Sequence, residues 1–148
     1  GGRGMLDEAR RWLIEADTEE RSARMLREGG IPSRAVSHAR QAVEHALKAA
    51  VIELQREKAP KIHSLFMLAE QICEELPNEI HNAVKDLDPH YLTSRYPSEL
   101  VPQPSDYFDE SDADRALAQM ALVLDWVREQ LPDEEEDEEA ADESPEAS

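Results

Sequence analysis

Residues 37–52, SHARQAVEHALKAAVI, decide the fold. Apolar side chains recur at Ala35, Ala39, Ala42, Val43, Ala46, Ala50 and Leu54, three and four apart. That spacing predicts one buried face of an α-helix. Val36, Leu47 and Ala49 widen the face. Alanine lets a neighbouring backbone approach closely, so the composition points to a tightly packed central helix. On the other side lie His38, Gln41, Glu44, His45 and Lys48, again three and four apart. A seam of groups that donate, accept or titrate therefore runs along an apolar helix. It is a candidate surface for a ligand or partner.

Outward from this helix the same periodicity continues. Leu6, Ala9, Leu13, Ala16, Ala23 and Leu26, with Trp12 beside them, predict a first helix over residues 5–28, stopped by Gly29-Gly30. Pro32 and Ser33 open the central helix, and Lys58-Ala59-Pro60 ends it after about residue 57. A third helix is predicted over 64–76, with Leu65, Leu68, Ala69, Ile72 and Cys73 inward. Pro77 begins a short helical piece to residue 87, carried by Ile80, Val84 and Leu87. Residues 88–109 hold Pro89, Pro97, Pro102 and Pro104, all three tyrosines and Phe108. A long irregular connection of this kind is often functional. The last helix is predicted over 111–131, with a capping box at Ser111 and Asp114. Its core face is Ala116, Leu117, Met120, Val123, Leu124 and Val127. No strand pattern or internal repeat interrupts the series. The expected fold class is all-α, an up-and-down bundle of four main helices plus a short extra helix, with a disordered acidic C-terminal tail.

At 148 residues the chain fits one domain that buries a core without disulfide staples. Its lone Cys73 allows no intramolecular disulfide. No apolar run is long enough to span a bilayer and no signal peptide is evident, so a cytoplasmic location without membrane association is expected. Residues 1–4, Gly-Gly-Arg-Gly, read as an expression remnant, 5–132 as the helical domain and 133–148 as the tail. The net charge is −18, and the tail holds ten acids without a base, more than half of that excess. Like-charge blocks of this kind stay solvated and often act as interaction tails. An acidic body also disfavours nonspecific nucleic-acid binding, which depends on Lys and Arg.

Five histidines raise the question of a metal. His38 and His45 lie seven apart on one side of a helix, about 10 Å by helix rise, too far for one ion. His63, His81 and His90 show no ligand spacing, so neither a metal nor another cofactor is expected. A glycine-rich phosphate loop and a GxSxG elbow are both absent. Arg40 and His45 supply a cation for a scissile phosphate and an imidazole for proton transfer, the minimum for metal-free RNA cleavage. Five residues apart on a helix they point about 140° apart, so convergence needs a kink or a second subunit. The alternative role for Arg40 is an ion pair with Glu44 at i+4. Arg95 stands among His90, Tyr91, Thr93, Ser94 and Tyr96. There it serves either to grip phosphate beside a stacking ring or to lock the loop to an acid of the bundle.

Three stretches resemble the HEPN (higher eukaryotes and prokaryotes nucleotide-binding) domain family. They are His38-Ala39-Arg40-Gln41-Ala42-Val43-Glu44 with Lys48-Ala49, then Pro60-Lys61-Ile62-His63-Ser64-Leu65, then Tyr91 with Thr93-Ser94-Arg95-Tyr96-Pro97. The resemblance covers residues 6–131. It implies a bundle of four or five helices, commonly a homodimer, often with a minimal nucleotidyltransferase as partner. Some such proteins are ribonuclease toxins neutralised by that partner, and others are thought to bind nucleotides. Ribonuclease members carry Arg-x4-6-His near the start of a late helix, whereas the last helix here contains no histidine. The leading expectation is thus a binding module for a nucleotide or a nucleotidyltransferase. Its motif matches are His38, Gln41, Glu44, Lys48, His63, Arg95 and Tyr96, with Arg95 on phosphate and Tyr96 against a base. The alternative is a metal-independent endoribonuclease toxin acting on RNA, with Arg40 and His45 as catalytic residues across a dimer.

Overall fold

In a computed structural model the chain is described at residues 4–88 and 108–132. These form five helices and no strand: α1 (Asp7–Glu28), α2 (Pro32–Gln55), α3 (Leu65–Ile72), α4 (Asn78–Leu87) and α5 (Glu110–Gln130). The long helices α1, α2 and α5 frame an up-and-down bundle, and the shorter α3 and α4 complete it. The tail and the Arg95–Tyr96 loop lie outside the described residues. No helix among the described residues is long and apolar enough to cross a membrane.

The central position of α2 follows from its alanines. Ala35, Ala39, Ala42, Ala46, Ala49 and Ala50 are all fully buried, and α1, α3 and α5 all pack against the same helix. Larger residues would hold those neighbours further off. Leu47, Val43, Val51 and Ile52 fill the spaces between. Pro32 sits in the first turn of α2, where its missing N–H costs nothing.

The ends of the helices correct several expected boundaries. Gly30, at φ 77°, takes the left-handed turn that lets α1 reverse into α2. Arg56 closes α2 in the same conformation at φ 58°, two residues earlier than the proline pattern predicts. Its guanidinium lies 3.2 Å from the buried Glu53 carboxylate, which also accepts the Leu6 N–H at 2.6 Å and ties the start of α1 to the end of α2. α3 stops at Ile72, because Cys73 is already extended before Leu76-Pro77. Cys73 is only half-buried, with Sγ donating to the Glu75 carbonyl at 3.2 Å.

The capping box of α5 is built by Asp109 and Asp112 rather than by Ser111 and Asp114. Asp109 accepts the Asp112 N–H and Asp112 accepts the Asp109 N–H, both at 2.9 Å. Asp114 is instead gripped by Arg27 of α1 through bonds of 2.6 and 3.2 Å. Donation by the Asp112 backbone N–H holds the Asp109 carboxyl below its ordinary value of 3.8. The Arg27 guanidinium does the same for Asp114, while its own pKa rises. A depressed folded-state pKa contributes stability that is complete above the ordinary value and lost as pH falls through the lowered one. The chain is therefore expected to lose stability progressively below pH 3.8. Asp114→Asn should flatten that slope in urea melts across the acid range; an unchanged slope would remove Asp114 from the account.

Candidate ligand groove between the first two helices

The antiparallel pair α1–α2 brings one edge of α1 against the polar seam of α2. Trp12 is the residue that organises it. Its ring lies 5.2 Å from the His45 ring, centroid to centroid, tilted by 48°. The Lys48 ammonium also sits 5.3 Å from the ring centre, within cation–π range. Lys48 is also 3.0 Å from Glu44, with only 7% and 13% of the two side chains exposed. The pair is thus largely withdrawn from solvent, with the Trp12 ring beside Lys48 on the α1 side. His63, 80% exposed, approaches the same Glu44 oxygen at 3.3 Å from the loop before α3.

The motif residues thus divide. Glu44, Lys48 and His63 form one connected group, with Trp12 and His45 stacked onto it. His38 is separate: its Nδ1 meets the Glu19 carboxylate of α1. Gln41 and Arg40 are half-buried and make no hydrogen bond or ion pair among the described residues. The Arg40–Glu44 pair expected at i+4 does not form, because Glu44 is taken by Lys48 and His63. α2 is helical without a break from Pro32 to Gln55, so Arg40 and His45 diverge within one chain. Arg95 and Tyr96 lie outside the described residues.

Beside Trp12 the surface opens into a shallow hollow of about 460 Å³, lined by Arg11, Trp12, Ile14, Glu15 and His45. The indole and Ile14, 56% exposed, give it an apolar floor. Arg11, with no ion pair or hydrogen bond among the described residues, gives it a cation. His45 Nδ1 is the one buried side-chain nitrogen or oxygen among the described residues without a hydrogen-bond partner. Leaving such an atom unsatisfied is costly, so its burial beneath Trp12 is held by the surrounding packing. No group of three or more His, Cys, Asp or Glu with metal-binding geometry occurs among the described residues.

Sequence reasoning missed Arg11, Trp12 and Glu19. Trp12 at the margin of a regular apolar stripe was the available signal: a large ring there must cover something on the neighbouring helix.

Comparison with known proteins fixes the family. The HEPN domain model matches residues 9–130. The chain belongs to the HEPN domain family. Among solved structures, this HEPN chain is similar to TT1696 from Thermus thermophilus, at 27% identity and a TM-score of 0.71, over 85% of this chain and 100% of that one. It is also similar to ST0689, an archaeal HEPN homologue, at 27% identity and a TM-score of 0.69, over 84% and 98% of the respective chains. No curated protein sequence matches it.

Proposed function

We propose that this HEPN domain is a binding module that takes a nucleotide in the groove between α1 and α2. The observation that carries this reading is the hollow beside Trp12, where an indole, a cation without an ion pair and an imidazole stand together. Such a floor suits a planar base, since stacking on an aromatic ring is worth about 1–3 kcal/mol per base. Lys48 and Glu44 act from beneath, holding the indole in place rather than touching the ligand. The same proposal includes a homodimer and a minimal nucleotidyltransferase as protein partner. Exposed Met25, at 71% near the end of α1, supports a protein contact away from the hollow.

Isothermal titration with nucleotides tests the reading. Trp12→Ala should weaken binding by about 1–3 kcal/mol, with Trp12→Phe retaining most of it. A folded Trp12→Ala variant with unchanged affinity would remove the hollow as the base site.

A further inference from the structure

Ion pairing within the bundle leaves one set of charges on α1 over. Arg24 is taken by Glu20, Arg27 by Asp114, and Asp17 by Arg128 of α5. Arg11, Arg21 and Glu28 are exposed and have no ion pair or hydrogen bond among the described residues. They share one stripe with Ile14, Thr18 and Met25, which are exposed too, at spacings of three and four residues. That is the period of a helix–helix seam. The stripe lies on the side of α1 turned away from the buried Ala9, Ala16 and Ala23.

Turned end for end, this stripe complements itself. When Ile14 is set against Met25 of a second, antiparallel copy, the same register puts Thr18 against Arg21 and Arg11 against Glu28. Each pairing then occurs twice about a two-fold axis, as an isologous interface requires. Apolar meets apolar and cation meets anion. The Arg21 stem covers Thr18 while its guanidinium reaches water. The Thr18 hydroxyl already donates to the Ile14 carbonyl of its own helix at 3.2 Å, so it needs nothing from across the seam. A face shaped for a different protein is under no constraint to match its own reverse.

We infer that two copies of this chain pair antiparallel through the outer face of α1, with Ile14 on Met25 and Arg11 on Glu28. The inference rests on the homodimer proposed above and names its surface and register. Met25 does not line its own chain's hollow, yet the pairing sets it on Ile14 at the floor of the other's. Each hollow is then walled by both copies. Arg11 carries five N–H donors, enough to serve Glu28 of the second copy and an occupant of the hollow. The exposed Leu122 of α5 takes no part.

Sedimentation of the full chain over a concentration series is the test, with circular dichroism to confirm that each variant folds. The wild type should be a dimer. Arg11→Glu and Glu28→Arg each set like charges against one another at both ends of the seam, and each should weaken dimerisation by about tenfold or more. Combining the two restores opposite charges and should recover the dimer. Met25→Lys should dissociate it as well, whereas Leu122→Lys should not. Every altered side chain is exposed, so the core is left as it is. A wild-type dimer indifferent to the α1 variants, or a combined variant no tighter than either single one, overturns this surface and leaves the homodimer reading standing. A wild type that stays monomeric at every concentration overturns both.

Discussion

Glu44→Ala is expected to lower the unfolding free energy by about 3–5 kcal/mol, among the largest losses from a single polar substitution in this chain. Removing the carboxylate strands the Lys48 ammonium, whose side chain is only 7% exposed, with Trp12 as its remaining attractive contact. The cation–π term offsets only about 1–2 kcal/mol of the desolvation. Removing both charges is a different matter. Glu44→Leu combined with Lys48→Met should recover most of the stability, because an apolar pair of similar volume needs no solvation. Urea denaturation of the single and double variants measures the difference. A Glu44→Ala variant as stable as wild type would mean that Lys48 reaches water.

Leu47→Ala is expected to cost about 2–5 kcal/mol, from lost transfer energy and from the cavity left behind. Leu47 is fully buried on α2, away from the seam, in a core otherwise rich in alanine. The flanking alanines have no side-chain length with which to fill the vacancy, so the loss should lie toward the upper end. Domains of this kind are held by only about 5–15 kcal/mol, so the change consumes a large part of the margin. Thermal melting checks it, and a shift smaller than that of an exposed Leu122→Ala control would contradict the central packing of α2.

The contrast between these two residues shows what a linear pattern conveys. Leu47 is legible as core because its neighbours on the same helix repeat the apolar spacing. Lys48 reads as solvated, because the ring that covers it comes from 36 residues earlier, on another helix. His38 reads as part of a wet seam for the same reason; its partner Glu19 belongs to α1. Local spacing reports which face of a helix a residue occupies, not what lies across from it. The bundle and its helices were legible on that basis. The α5 cap was misassigned because Asp109-x-x-Asp112 and Ser111-x-x-Asp114 are both workable boxes. Arg27, on a distant helix, takes Asp114 and leaves the box to the earlier pair. The candidate groove was half legible: its α2 wall could be read, and its α1 wall could not.

The packing of α2 against α1, α3 and α5 has a kinetic consequence for the groove it borders. An element gripped from several sides exposes its amides to exchange only when most of the molecule opens. α1 is joined to α2 along its length in the most extensive helix pairing among the described residues. Partial opening should therefore begin with the shorter α3 and α4, which are held more lightly, while α1 stays latched at its start by Glu53 on the Leu6 N–H. Both helices of the α1–α2 pair should then stay fixed on the timescale of deuterium exchange while the α3–α4 side of the bundle breathes.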